Sequence, residues 1–372
     1  MNQAPAAIHP QVPWRVPRRD YLLLPLIFVM TVIVLLVAGE ASARLIYVQD
    51  DDAEPCEYLT ATGYRYHPLC TSRTKVWEGP WTTQRFNACG YPSAAPCYPL
   101  PSGSLRVVVF GSSTARGALV NFDQSFSARA AVALSHSCGA TVDFQNLGTE
   151  PADIDRTDLR VPEAMALKPS AIVMMIGSFD IMHLKDPPPT GEGEDPPLRF
   201  NLHGAVQLLR DSRLFLLMQY ELYKDPSFQI RAFLLNGDDA DVVRRPLSAA
   251  WRQRVADFGD LLGRIRQQTG HVPMLLLYGP GRAPVAMARL AVKPPGVDPL
   301  ALGAALKQMA EHYDVRFFDT TEALASAADF QSLYYLTDGH LADAGQAVLA
   351  GVVERGLLAD PAFAACKRIS AQ

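Results

Sequence analysis

Residues 21–39 read YLLLPLIFVMTVIVLLVAG, 19 positions without a charge. As a helix rising about 1.5 Å per residue, the stretch reaches roughly 28 Å, close to the hydrocarbon thickness of a bilayer. It has no polar face to turn to water, so a buried core helix or a surface helix is a poor reading. A membrane span is expected over 21–39. Arg15, Arg18 and Arg19 precede it, while Glu40 and the run Asp50, Asp51, Asp52 follow. The positive-inside rule then assigns residues 1–20 to the cytoplasm and everything after residue 40 to the outside. The alternative is a cleaved signal peptide, and Ala41-Ser42-Ala43 has the small residues of a cleavage site. The apolar stretch and the segment before it are both long for a signal, which favours a retained anchor. A single short anchor fits a bacterial envelope protein: one pass through the inner (cytoplasmic) membrane, with the body periplasmic.

All six cysteines, Cys56, Cys70, Cys89, Cys97, Cys138 and Cys366, lie after the apolar segment. In an oxidising compartment an even count reads as disulfides, although six cysteines allow 15 connectivities. Proximity suggests Cys56 with Cys70 and Cys89 with Cys97, leaving Cys138 for Cys366. No CxxC pair or nearby His cluster exists, so no metal is expected, and no cofactor either. Lys and Arg total 34 against 38 Asp and Glu, a net charge of −4. That balance argues against a nucleic-acid partner, which calls for a basic stripe.

Residues 40–104 are rich in Pro, Gly, Tyr and Cys and show no long helical period. They are expected to form an irregular, disulfide-stapled lead-in. From residue 105 the pattern changes. Residues 105–110 (LRVVVF), 142–147, 171–176 (AIVMMI), 274–278 (MLLLY) and 315–318 are short apolar runs suited to buried parallel strands. Helical stretches are expected near 125–135, 152–167, 247–268, 299–312 and 341–357. Such alternation predicts an α/β fold with a parallel sheet covered on both faces. A proline-rich loop, DPPPTGEGEDPP at 186–197, and an amphipathic stretch at 203–223 interrupt it. Residues 183–246 are therefore read as an insertion in a domain running from 105 to 358, with 359–372 as a tail.

Two places carry residues suited to chemistry. The first strand ends in Phe110-Gly111-Ser112-Ser113-Thr114. Ligands of open α/β sheets gather beyond the carboxyl ends of the strands, so a serine in a Gly-led turn there is placed as a nucleophile. It is equally a residue type favoured at helix starts. Near the C-terminus stands Thr337-Asp338-Gly339-His340. In an extended segment positions i and i+2 share a side, so Asp338 can accept from His340 Nδ1 and leave Nε2 free as a base. Alone, each element also fits a capped helix start.

Together they resemble the SGNH/GDSL hydrolase superfamily over about residues 104–358. Ser113 in Gly111-Ser112-Ser113 matches that family's nucleophile, where the usual motif is Gly-Asp-Ser. Asp338-x-His340 matches its last block, one residue shorter than the common spacing, as in membrane-linked bacterial branches and relatives of alginate O-acetyltransferases. The α/β-hydrolase alternative wants Gly-x-Ser-x-Gly, and Ala115 breaks it. The resemblance implies a three-layer α/β/α sandwich with a flavodoxin-like parallel sheet. It also implies action on acyl esters, with an envelope carbohydrate as one candidate carrier.

The oxyanion-hole motifs depart from the family. The implied donors are the Ser113 N–H, a glycine N–H of the second block and an Asn side chain of the third. In Asn146-Leu147-Gly148-Thr149-Glu150-Pro151 the second glycine position is Pro151, which has no N–H. In Gly177-Ser178-Phe179-Asp180, Phe179 replaces the Asn. Gly148, Asn146, Ser178 and Arg116 are candidates to compensate, and His183 is a candidate to face the cleft. The favoured function is a membrane-anchored, extracytoplasmic serine ester hydrolase with Ser113, His340 and Asp338 as its triad. An O-acyltransferase on an envelope glycan and a catalytically impaired binding protein of the same fold are the alternatives.

Overall fold

The computed structural model describes residues 17–51, 56–149, 151–184, 212–363 and Cys366. The first 16 residues and the proline-rich loop at 186–197 lie outside the described residues. So do most of the tail after 363 and the start of the amphipathic stretch at 203–211.

The body is built on five parallel strands: β6 (Leu105–Gly111), β7 (Val142–Asn146), β8 (Ala171–Ile176), β9 (Met274–Tyr278) and β10 (Arg316–Asp319). Their spatial order is β10-β9-β8-β6-β7, so the first strand in sequence lies inside the sheet and the second at its edge. This is the flavodoxin-like order, in which the chain reverses direction across the sheet between β6 and β8. Val107, Val108 and Val109 of β6 have no exposed surface, and Met174 and Met175 of β8 are core. Runs of Val and Ile form strands here because both faces of the sheet are covered.

Right-handed crossovers from this order put helices on both faces. α3 (Phe126–Cys138) packs on α13 (Asp343–Leu358), while α9 (Ala249–Thr269) packs against α4 (Val161–Ala166) and α11 (Ala301–His312). Trp251, Val255, Phe258, Leu262 and Ile265 form the buried stripe of α9 at alternating spacings of four and three residues. Residues 151–160, expected within a helix, form a 3₁₀ segment that precedes α4.

The apolar segment forms one helix, α1 (Asp20–Ile46), and it continues past the expected end at 39. Glu40 and Arg44, 2.6 Å apart at i,i+4, support the extra two turns outside the apolar run. Its apolar side chains from Leu22 to Val37 are exposed all round. Among the described residues it is the one helix long and apolar enough to cross a membrane. Glu40 also accepts from Ser212 Oγ (2.7 Å) and from the N–H groups of Arg213 and Leu214, so it caps helix α6 (Arg213–Tyr223).

The lead-in is more regular than its composition suggests. β1 (Asp50–Asp51), β4 (Thr71–Lys75) and β5 (Trp81–Arg85) make an antiparallel sheet, and β2 (Glu57–Thr60) and β3 (Gly63–Tyr66) a hairpin. Thr-rich and Trp-bearing runs suit short strands, but Pro, Gly and Cys between them hide the period. Disulfides join Cys56 to Cys70, Cys89 to Cys97 and Cys138 to Cys366. The lead-in is fastened to the body by polar contacts. Gln84 Nε2 donates to Gly117 O (2.7 Å) and Val120 O (2.9 Å). Tyr91 OH and Arg65 both donate to Glu163, at 2.6 and 3.3 Å.

Burial acts to raise the Glu163 carboxyl, but the Arg160 and Arg65 charges and the Tyr91 hydroxyl hold it below its ordinary 4.5. A lowered folded-state pKa adds stability that is present above the unfolded value and lost as pH falls through the folded one. Glu163→Gln is therefore expected to lower the melting temperature at pH 7, and the gap from wild type should narrow below about pH 4.5. Thermal unfolding at several pH values reads this.

Candidate active site

The turn after β6 begins the site. Gly111 has φ +143°, and a Cβ there would stand 2.3 Å from Met175 O and 2.5 Å from Ala115 Cβ. Only glycine lets β6 break off so close to β8. Ser112 follows in extended backbone at the residue before α2 (Ser113–Arg116). Ser113 thus starts a helix at the carboxyl edge of the sheet. The N–H of a first helical residue has no acceptor within its own helix.

Ser113 Oγ lies 2.7 Å from His340 Nε2, and His340 Nδ1 lies 2.6 Å from Asp338 Oδ1. Three side chains expected to cooperate are joined in one hydrogen-bonded chain across 227 residues. The Asp338–His340 segment is not extended as expected. Gly339 has φ +90°, and Asp338 Oδ1 also accepts from the His340 N–H at 3.0 Å. This is an Asx turn, which brings the carboxylate to the ring by folding back rather than by strand alternation. Burial acts to raise the Asp338 carboxyl, but the hydrogen bonds and charge of His340 hold it below the usual range.

A cavity of about 300 Å³ opens in front of this chain, lined by Ser113, Ser178, Phe179, Asp180 and His340 among others. Ser178 starts helix α5 (Ser178–Met182). Asp180 is buried; it accepts from Gly177 N at 2.6 Å and from the Ser112 hydroxyl, so it joins the turns after β6 and β8. Burial pushes its carboxyl up, against those hydrogen bonds and the nearby His340 and His183. Phe179 is half exposed at the cavity, its ring 4.0 Å from that of His183. His183 turns back instead, with Nδ1 2.8 Å from Phe179 O, and does not line the cavity.

Two candidate oxyanion donors, Asn146 and Gly148, are engaged away from the cavity. Asn146 is fully buried and spends its amide on Ala115 O (2.8 Å) and Ser127 Oγ (3.2 Å). The Gly148 N–H donates to Asn146 Oδ1 at 2.9 Å. The two hold each other and the α2 turn, and neither lines the cavity. Arg116 points away too, with its guanidinium 5.0 Å from the centre of the Tyr66 ring.

One group has no precedent in the motif reading. Glu78, in the turn between β4 and β5, accepts from the N–H groups of Leu336 (2.7 Å), Thr337 (2.9 Å) and Asp338 (3.0 Å). It also accepts from Thr337 Oγ1 at 2.7 Å, and Trp77 Nε1 donates to the same hydroxyl at 3.1 Å. No spacing rule links residues 260 positions apart.

The GDSL-like lipase/acylhydrolase family model matches residues 109–348, from the end of β6 into α13. The chain belongs to that family. Solved structures of similar fold include a lipase/acylhydrolase from Enterococcus faecalis, 12% identical, covering 68% of this chain and 95% of its own at a TM-score of 0.38. Another is the psychrotrophic esterase EstA from Pseudoalteromonas sp., 7% identical, covering 68% and 96% at 0.37. No curated protein matches this chain. Membership makes the molecule a hydrolase on an α/β fold.

Replacing Gly111 by Ala adds a Cβ at a positive φ and against the Met175 carbonyl. A loss of stability on the order of 3 kcal/mol is expected, measured by denaturant titration.

Proposed function

We propose that the protein is a membrane-anchored, extracytoplasmic serine ester hydrolase. The observation that carries this reading is the chain Ser113 Oγ–His340 Nε2–His340 Nδ1–Asp338 Oδ1, at 2.7 and 2.6 Å, beside an open cavity. Ser113 attacks the acyl carbonyl while His340 Nε2 takes its proton. The tetrahedral oxyanion is met by the Ser113 N–H, with Ser178 as the second donor. His340 returns the proton to the leaving alkoxide, which departs as an alcohol. Water, deprotonated by His340, then attacks the acyl-Ser113 ester, and the acid leaves as His340 returns that proton to Ser113 Oγ. Asp338 holds the ring in the tautomer with Nε2 free and stabilises the imidazolium. With Phe179 where the family carries an Asn donor, the hole has fewer donors. The loss of one donor costs roughly 10²–10³ in rate in enzymes of this kind, so a modest kcat is expected.

α1 and the three disulfides support the location: an apolar helix to hold the chain in a membrane, and an oxidising compartment for the body. The full chain is expected to stay with membranes on alkaline carbonate extraction. Its six cysteines should resist maleimide until denatured and reduced.

Purified protein should hydrolyse a short-chain aryl ester and be labelled at Ser113 by a fluorophosphonate. Ser113→Ala and His340→Ala should each lower kcat/KM by about 10⁴-fold or more, and Asp338→Asn by roughly 10⁴-fold. Unchanged hydrolysis in Ser113→Ala would refute the reading.

A further inference from the structure

We propose that Glu78 is the positioning residue of this site, its carboxylate gathering the loop that carries Asp338 and His340 and holding it against Ser113. The inference rests on the reading of Ser113 as nucleophile.

The loop 335–340 hangs between the bridged residues Tyr334 and Leu341. Its own backbone bonds close only its ends, from Tyr335 N to His340 O (2.9 Å) and from Gly339 N to Tyr335 O (3.0 Å). The N–H groups of Leu336, Thr337 and Asp338 converge on one point outside the loop, and the Glu78 carboxylate fills it. Backbone N–H groups require acceptors, and a charged acceptor makes the shorter and stronger bonds. Three successive backbone N–H groups leading up to and including that of Asp338 are thus fixed from one side chain of the lead-in, and Tyr335 OH adds a bond to Leu119 O at 2.8 Å.

Glu78 is itself held in place. Gly79 N donates to Val76 O at 3.0 Å and Lys75 Nζ to Gly79 O at 2.8 Å, which closes the turn at the hairpin tip. Trp77 beside it is buried edge-on to Tyr47 (5.9 Å) and Tyr220 (5.5 Å). The tip meets the one stretch of the loop, Leu336 to Asp338, whose N–H groups find no acceptor within the loop itself. Preorganisation of this kind matters because a shift of about 1 Å in a reacting group costs on the order of 10²-fold in rate.

The test is made on the full chain in detergent. Glu78→Ala should lower kcat 10- to 100-fold with KM within about twofold, since the Ser178 and Phe179 side of the cavity is untouched. Glu78→Gln keeps one carbonyl oxygen for the Thr337 and Asp338 bonds but turns its NH2 toward the Leu336 N–H, so it should lower kcat less than Glu78→Ala does. Thr337→Val, a milder change that leaves the backbone bonds to Glu78 in place, should lower kcat by a few fold with a melting temperature only a few degrees lower for the Trp77 N–H it leaves without its acceptor, which keeps the test informative if Glu78→Ala does not fold. A second readout needs no substrate. The downfield proton resonance of His340 Nδ1–H, assigned by its loss in His340→Ala, should be present in wild type and Glu78→Gln and lost or broadened in Glu78→Ala. A wild-type protein without esterase activity would defeat the hydrolase reading and leave this resonance to decide on Glu78. The proposal is overturned by an unchanged resonance and kcat in Glu78→Ala, by a defect confined to KM, or by Glu78→Gln as impaired as Glu78→Ala.

Discussion

At position 111 the chain has no room for a side chain, and the arrangement of the carboxyl edge follows from that. β6 passes so close to the Met175 carbonyl that a Cβ would overlap it. The strand must end there in a turn, and the turn delivers Ser112 and Ser113 to the sheet edge. Asp180 then accepts from Ser112 and from Gly177, the first residue past β8, so the two turns behave as one polar unit beneath the cavity. Two central strands, buried throughout but for Leu105 at the far end of β6, stand behind it. A packed interior resists deformation, so the nucleophile is held by the sheet rather than by its own loop.

Much of this was legible along the chain. Five apolar runs became five strands within a residue or two at their ends, because a doubly covered parallel strand writes its burial into consecutive residues. Ser113, Asp338 and His340 stood out because each sits in a short local pattern. The oxyanion candidates fared differently. Asn146 offers a free amide in sequence, yet it is fully buried and bonded to its own surroundings. Glu78 and Trp77 had no local pattern, since their partners are about 260 positions away and the contact exists only after folding. The strands of the lead-in were hidden for another reason. Runs of four or five residues between Gly, Pro and Cys are too short to display a period.

Composition separates the lead-in from the body, but the contacts do not. Gln84 and Thr83 hold the segment just after α2, at Gly117, Val120 and Asn121. Glu78 holds the loop that carries His340. The same small sheet therefore grips both sides of the Ser113–His340 contact. Through Trp77 it also meets Tyr47 at the end of α1 and Tyr220 of α6, the helix that Glu40 caps. A continuous set of packed groups runs from the apolar helix to the cavity.

The Cys138–Cys366 bond spans 228 residues and closes them into a covalent ring. His340, Asp338 and four of the five sheet strands lie within that ring, while Ser113 lies on the arm that enters it. A single break of the backbone anywhere between residues 139 and 365 would open the ring without dividing the molecule. The nucleophile and its base would remain on one covalent body, and only reduction together with cleavage would part them. While the disulfide stands, a cut anywhere in that span removes no component of the site.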